Sequence, residues 1–169
     1  YETLYMVTVS LVIGALIGIP LGILLMVTRK NGIWSNTILH QVLNPIINIL
    51  RSIPFIILLI AIVPFTKLLV GTSIGTTAAI VPLTVYVAPY IARLVENSLL
   101  EVDDGIIEAA KAMGASPLQI IRYFLLPEAL GSLILAITTA IIGLIGSTAM
   151  AGAVGGGGIG DLALVYGYQ

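Results

Sequence analysis

A serine flanked by glycines is the first residue of this chain whose setting could support chemistry. The stretch Gly71-Thr-Ser73-Ile-Gly75 matches G-x-S-x-G, the turn that exposes a nucleophilic serine in many hydrolases. That chemistry needs a strand before the serine, and a carboxylate and a histidine after it. An apolar segment precedes Ser73, and the single histidine, His40, lies before it in the sequence. We therefore interpret residues 71–75 as a turn.

The glycine run near the end of the sequence matches two further patterns. Residues 155–160 fit the dinucleotide-binding G-x-G-x-x-G, and residues 158–161 fit the G-x-G-D of intramembrane aspartyl proteases. The first pattern requires a strand–turn–helix and an acidic residue about 20 positions later, and neither is available. The second requires two carboxylates in one site, but Asp103 and Asp104 belong to a loop that we expect across the membrane from Asp161. The glycines instead predict backbone flexibility or close helix approach.

Composition points to a membrane protein. The chain is 59% hydrophobic and 9% charged, whereas soluble domains are about 25% charged. It has no cysteine and one histidine, so it offers neither thiolate chemistry nor a histidine-rich metal site. Seven lysines and arginines are too few for a nucleic-acid-binding stripe, so we expect no nucleic acid as partner.

Apolar segments of the right length predict an all-α transmembrane bundle. The second segment is interrupted by Arg51 and Pro54, and residues 161–169 resemble the beginning of a fifth span. At ~1.5 Å per residue, about 20 residues cross a bilayer core of about 30 Å. We expect one domain over residues 1–169, cut from a longer polypeptide at its C-terminus and at its N-terminus. The four predicted spans are Met6–Val27, Val42–Phe65, Thr76–Leu94 and Ala129–Met150.

Basic residues predict the orientation of these spans. Arg29 and Lys30 follow the first span, Arg93 ends the third, and Lys111 and Arg122 lie in the loop after it. Because cytoplasmic loops carry an excess of lysine and arginine, we expect these ends in the cytoplasm and the N-terminus outside. Residues 95–128 then form a cytoplasmic loop of a multi-pass membrane protein.

Two features inside the spans predict helix packing and a polar path. Gly14, Gly18 and Gly22 form a small-residue face on which a second helix can pack closely. The second span carries a polar stripe that either lines a pathway or packs at the headgroup level. Its residues recur every three or four positions and are Gln41, Asn44, Asn48, Arg51 and Ser52. Candidate pathway residues are Asn48, Arg51 and Ser52 on this stripe, and Ser147 or Thr148 on the fourth span.

The loop between the third and fourth spans contains start and stop signals for two short helices. Asp103 or Asp104 can cap a first helix over residues 105–113, and Gly114 supplies a left-handed stop. Ser116, Pro117 and Gln119 then form a capping box with proline at the first helical position. We expect a second helix up to about Leu126, with Pro127 in the first turn of the fourth span.

The same loop carries a family signature. Glu108-Ala109-Ala110, three residues, Gly114, nine residues and then Phe124-x-Leu126-Pro127 resembles the EAA loop of type I ABC-importer permeases. The family pattern has isoleucine where this chain has Phe124. Shorter stretches resemble the methionine-importer branch of that family. They are residues 51–59 (RSIPFIILL), 70–75 (VGTSIG), 79–84 (AIVPLT) and 112–115 (AMGA).

This resemblance implies a function and a set of partners. It implies a non-catalytic permease subunit of the bacterial plasma membrane that works by alternating access. Two copies of the permease would assemble with two cytoplasmic ATPase subunits, which bind ATP and Mg²⁺. An external substrate-binding lipoprotein would deliver the substrate. It assigns the ATPase-docking surface to the loop, at Glu108, Ala109, Ala110, Gly114 and Pro127. The expected substrate is an amino acid, and methionine is the first candidate.

Three alternatives stay open from the sequence. The first is an importer permease for another small polar substrate. The second is a secondary transporter or channel that needs no ATPase, which would account for the polar stripe but not for the loop. The third is an intramembrane hydrolase, which would need a second catalytic group beside Ser73 or Asp161.

Overall fold

A computed structural model describes residues 1–167, and all the regular secondary structure in that part of the chain is helical. The predicted all-α transmembrane bundle is confirmed: three described helices are long and apolar enough to cross a membrane, or four if one bent pair is counted as a span. The expected start of a fifth span is α10, and the last two residues of the predicted segment 161–169 lie outside the described residues. The helices are α1 (Glu2–Thr28), α2 (Thr37–Ser52), α3 (Phe55–Ala61), α4 (Val63–Val70), α5 (Thr76–Leu100), α6 (Asp104–Ala112), α7 (Pro117–Gln119), α8 (Leu126–Glu128), α9 (Leu130–Ala151) and α10 (Ile159–Gly167).

Helix α5 forms the centre of the bundle. It packs along α1 and α9 and is also contacted by α2, α3 and α4. Its buried side includes Leu83, Val87 and Ile91, none of which is measurably exposed. Apolar side chains cover most of the circumference of α5, so its few polar residues are confined to the remaining face.

The α1–α5 contact depends on the glycines of α1. A Cβ atom placed on Gly18 would lie 2.6 Å from the Ala88 carbonyl oxygen, and one on Gly22 would lie 2.5 Å from the Ala92 carbonyl oxygen. Gly14 faces Val87 in the same way. The two backbones therefore approach at a distance that only glycine permits.

The second predicted span is not one straight helix. Helices α2 and α3 meet at an angle of 101°, with Ile53 extended between them at φ −77° and ψ 120°. Pro54 is the reason: its ring disfavours a helical conformation at the preceding residue, and it has no amide hydrogen to continue the helix. The interval 42–65 is thus a broken pair followed by α4, which ends at Gly71 with φ +80°.

One end of the bundle is tied together by the glycine run. The α9 helix ends in an irregular turn over Gly152–Gly156, in which Val154 and Gly155 leave the helical conformation. Gly155, Gly157 and Gly158 have positive φ. The Gly158 amide donates to the Glu2 carboxylate at 2.7 Å, and the Ile159 amide donates to the Thr3 hydroxyl at 2.9 Å. The starts of α1 and α10 therefore meet here, at the end that the basic residues predict to be external.

Candidate functional site: a coupling loop and a polar helix face

Local sequence signals position the first half of the loop. The Asp103 side chain accepts a hydrogen bond from the Gly105 amide at 2.7 Å and caps α6, as predicted. Ile107 and Ala110 are buried against the bundle, whereas Glu108 and Ala109 are exposed. The helix therefore has one anchored side and one free side that presents the glutamate and a small residue.

Gly114 ends α6 in a left-handed conformation. Its φ is +79°, its amide donates to the Lys111 carbonyl at 2.9 Å, and the Ala115 amide donates to the Ala110 carbonyl at 3.1 Å. These two bonds form a Schellman motif, which satisfies carbonyls that a helix end leaves unpaired. A Cβ atom on Gly114 would meet nothing within 4 Å, so the backbone conformation, and not space, favours glycine here.

The second half of the loop starts as the sequence predicts and then departs from it. The Ser116 hydroxyl accepts from the Gln119 amide, and the Gln119 side chain accepts from the Ser116 amide at 2.8 Å, so the capping box is complete. After α7, the residues Ile120–Leu125 form a π-helical turn in place of a continuous α-helix. Pro127 explains the difference, because its ring clashes with the carbonyl four residues earlier and the preceding turn widens.

The structure places one predicted docking residue inside the protein. Ala110 has no exposed surface, so it anchors α6 and does not form part of its free face. Exposed apolar side chains flank Gly114 instead: Met113 is 68% exposed and Leu118 is 73% exposed. Leu118 was missed from the sequence, although a large apolar residue between two polar helix-starting residues is a usable signal.

A charged cavity lies beside α6. It has a volume of about 460 Å³ and is lined from one side by Arg29, Lys30 and Gly32, which follow α1. Asp104, Glu108 and Lys111 line it from the other side. The loop and the end of α1 therefore lie at the same end of the bundle, as the positions of the basic residues predict.

The predicted polar stripe on α2 is divided between two arginines. Arg93 of α5 donates to the side-chain oxygens of Asn44 at 2.7 Å and Asn48 at 2.8 Å. It also pairs with Glu96 at 2.5 Å, and both members of this pair are largely buried. Asn48 therefore helps to fix α2 to α5 by accepting a hydrogen bond from a largely buried cation.

The rest of the stripe is exposed at the bend. Arg51 and Ser52 are exposed, and the Ser52 hydroxyl donates to the Asn48 carbonyl at 2.7 Å. The guanidinium carbon of Arg51 lies 6.0 Å from the centre of the Tyr90 ring of α5. Arg51 is thus held beside an aromatic face, at the point where the second span breaks.

The predicted pathway residues on α9 lie in the protein core. Ser147 is 4% exposed and Thr148 is 1% exposed. Their hydroxyls donate to carbonyls of their own helix, Ser147 to Gly143 at 3.0 Å and Thr148 to Ile145 at 2.7 Å. Because such back-bonding satisfies the hydroxyl locally, these residues can pack as apolar ones and line no open surface of this chain.

A polar crevice that the sequence reading did not find lies between α5 and α9. It has a volume of about 240 Å³ and includes Asn97 and Glu101 of α5, and Ser132 and Thr139 of α9. The Ser132 hydroxyl donates to the Glu101 carboxylate at 2.6 Å. The sequence held only part of the signal: the four-residue spacing of Asn97 and Glu101 places both on one face of a helix, but it does not show which helix packs against that face.

Comparison with known proteins identifies the family. The family described as binding-protein-dependent transport system inner membrane component matches residues 18–167. The chain belongs to this family. It is therefore a non-catalytic ABC-transporter permease, a multi-pass protein of the inner membrane, which confirms the function class and location that the loop motif predicts.

Individual relatives of the permease match over most of its length. A probable D-methionine transport system permease protein MetI of Vibrio cholerae is 53% identical over 169 residues, 100% of this chain and 75% of that protein. The D-methionine transport system permease protein MetI of Escherichia coli K12 is 57% identical over 152 residues, 90% of this chain and 70% of that protein.

Solved structures give the same fold. A chain from inward-facing conformations of the MetNI methionine ABC transporter is 57% identical with a TM-score of 0.96, covering 99% of the permease and 77% of that chain. A chain from an amino acid ABC transporter with histidines has 21% identity and a TM-score of 0.76, covering 99% of the permease and 76% of that chain, and shows the fold alone.

Proposed function

We propose that this permease is the membrane subunit of an ATP-driven importer whose substrate is methionine. The D-methionine permeases that resemble it match 90% to 100% of its length at more than half identity. The high structural similarity to a chain of a methionine ABC transporter supports the same assignment. A transport function also agrees with the broken second span, because transporters often form their substrate sites from discontinuous helices.

The exposed face of α6 is the observation that carries this proposal. Glu108 and Ala109 face outward, while Ile107 and Ala110 hold the helix against the bundle. A short amphipathic helix with small residues on its free side fits a groove on another protein. We propose that an ATPase subunit supplies this groove, with Glu108 as the polar contact and Ala109 as the point of closest approach.

The other predicted loop residues support this surface. Ala110 seats α6 in the bundle, and Gly114 ends it with the left-handed conformation that directs the chain toward α7. Pro127 widens the turn before α9 and so sets the angle at which the loop joins that helix. We assign these three residues to the shape of the docking loop and only Glu108 and Ala109 to direct contact.

The loop is joined by short connections to the two helices that border the polar crevice. Three residues, 101–103, link α5 to α6, and at its other end the loop leads through α8 into α9. Movement of the docked loop is therefore transmitted to α5 and α9 as nearly rigid rods. We propose that closure of the ATPase subunits on ATP drives the alternating access of the pathway through this connection.

This mechanism defines the cofactor and the partners. ATP and Mg²⁺ bind to two ATPase subunits and not to this chain. A second copy of the permease completes the pathway, and an external substrate-binding lipoprotein delivers the substrate. Of the pathway residues predicted from the sequence, we retain Arg51, with Asn48 and Ser52 as its neighbours on α2.

Reconstitution tests the proposed function. The complete permease would be purified with its ATPase, placed in liposomes with the external binding protein, and tested for uptake of radiolabelled methionine. We expect uptake that requires ATP and stops when the ATPase cannot hydrolyse it. Equal uptake without ATP would support a secondary transporter, and ATP-driven uptake of other amino acids alone would contradict methionine as the substrate.

A charge reversal tests the docking surface. Glu108→Lys should reduce co-purification of the ATPase, because the contact face of α6 then carries the opposite charge. Lys67→Gln, which changes a charge on α4 far along the chain from the loop, is the matched control. Unchanged co-purification of the Glu108→Lys variant would remove Glu108 from the proposed interface.

A further inference from the structure

We infer that Arg51, Tyr86 and Tyr90 form a binding subsite for the substrate amino acid inside the membrane. Arg51 binds the substrate carboxylate, and the tyrosine rings contact the ammonium group and the side chain. The polar crevice between α5 and α9 then carries the substrate onward to the cytoplasm. This inference rests on the proposed import function and adds the residues that hold the substrate in transit.

The depth of the subsite supports a role in transport. At ~1.5 Å per residue, Tyr90 lies about 21 Å from the start of α5 and about 15 Å from its end. Arg51 lies beside Tyr90 and is therefore also well inside the membrane. A charged side chain at this depth is costly in lipid, so it faces the interior of an assembly or a water-filled path.

Arg51 differs from the other arginine at this level. Arg93 is neutralised by Glu96 and is hydrogen-bonded to two asparagines of α2. Among the described residues, no carboxylate lies within ion-pair distance of Arg51, and its side chain is exposed. Because a guanidinium binds a carboxylate through two parallel hydrogen bonds, Arg51 is suited to a ligand with a free carboxylate.

The aromatic rings form a continuous wall next to Arg51. Tyr86 and Tyr90 are stacked, with centroids 6.4 Å apart and planes 17° apart. Phe55 packs edge-on against Tyr86 at 5.4 Å and fixes its orientation. Aromatic faces attract ammonium groups, and they also make favourable contacts with thioether sulfur. This combination fits a zwitterion with a methionine side chain.

The polar crevice continues from the aromatic wall toward the loop. Its first lining residue on α5 is Leu94, one helical turn after Tyr90, and Asn97 and Glu101 follow. Across from Tyr90 stands Gly143 of α9, where an added Cβ atom would lie 3.6 Å from the ring. The subsite and the crevice thus lie along one seam, which ends near the helices that carry the docking loop.

Ligand binding to the ATPase-bound permease tests the subsite directly. Methionine and methioninamide, which lacks the carboxylate, would be compared for wild type and Arg51→Gln without the binding protein. We expect wild type to prefer methionine by about tenfold or more, as for loss of a hydrogen bond to a charged group, and the preference to vanish in Arg51→Gln. The same preference in both proteins, or none in wild type, would overturn the subsite.

Uptake measurements separate this inference from the function on which it rests. Arg51→Gln should lower the maximal rate of methionine uptake about tenfold or more, with Arg51→Lys intermediate and Lys67→Gln unchanged. If the wild-type complex takes up methionine but Arg51→Gln does so equally well, the subsite is wrong and the importer stands. If the wild-type complex takes up no methionine, the proposed function fails first.

Cysteine labelling gives a readout that does not depend on transport. The chain contains no cysteine, so Asn97→Cys and Thr139→Cys can each be labelled without background. We expect a charged, membrane-impermeant thiol reagent to modify both at least about tenfold faster than Leu16→Cys, because thiolates form in water and not in lipid. Leu16 is 71% exposed on the side of α1 opposite its glycines. Equal rates at all three positions would exclude a water-filled crevice.

Discussion

Substitution of Gly114 isolates the backbone geometry of the docking loop from its packing. Because nothing lies within 4 Å of a Cβ atom at this position, a larger side chain meets no obstacle. The φ of +79° is the only cost. Left-handed backbone costs a non-glycine residue about 1–2 kcal/mol, and β-branched residues more, while asparagine tolerates it best.

The magnitude follows from this single cost. A penalty of about 1–2 kcal/mol lowers the equilibrium constant between the observed loop conformation and its alternatives by a factor of about 5–30. We therefore expect ATPase association and methionine-stimulated ATP turnover to fall in the order glycine, asparagine, alanine, valine. Uptake by Gly114→Val should be abolished or nearly so, while the protein still inserts into the membrane.

The assay needs a glycine that is equally open but has ordinary backbone. Gly131, at the start of α9, has nothing within 4 Å and no left-handed φ, so Gly131→Ala is the matched control. Membrane insertion would be followed by expression and detergent gel filtration, and coupling by ATP turnover in liposomes. Wild-type uptake and ATPase binding in Gly114→Val would refute the assignment of this residue.

Three further predictions concern helix packing and polar contacts. Gly18→Val should destabilise the α1–α5 pair by about 1–3 kcal/mol, because the valine side chain would meet the Ala88 backbone. Thermal denaturation in detergent measures the loss, and Gly146→Ala, whose Cβ atom would have nothing within 4 Å, should be neutral. Glu96→Gln should lower the stability of the fold by about 3 kcal/mol, because it leaves the Arg93 charge without its partner. Adding Arg93→Met to this variant should restore much of the lost stability. Equal destabilisation of the single and double variants would contradict this. Ser116→Ala should remove the capping box and lower ATPase-coupled uptake modestly, by the equivalent of about 1 kcal/mol, whereas Ser116→Asp should retain it.

Local rules made the loop readable from the sequence. The caps at Asp103 and Ser116 and the left-handed stop at Gly114 each depend on residues within a few positions of one another. Such short-range hydrogen bonds are decided by residue type and spacing, so the sequence contains all the information they require. The span positions were readable for the same reason, because burial in lipid needs only a run of apolar residues.

Features that depend on neighbouring helices were not readable. Pro54 predicts a break in the second span, but the angle of 101° between α2 and α3 depends on how these helices pack on α5. Ser147 and Thr148 were predicted as pathway candidates, and the packing of α9 places them in the core. The crevice at Asn97 and Thr139 needs two helices side by side, which only the fold supplies.

Site-specific photo-crosslinking at Ala109 tests the central claim of this account most directly. A photoreactive residue would replace Ala109 on the exposed face of α6, with Leu16 on α1 as the control position in the membrane. The account predicts that illumination of intact membranes links the Ala109 variant to the ATPase and the Leu16 variant to no ATPase. A chain that transports methionine but forms no such link from Ala109, or whose loop is labelled from the external side, would contradict it.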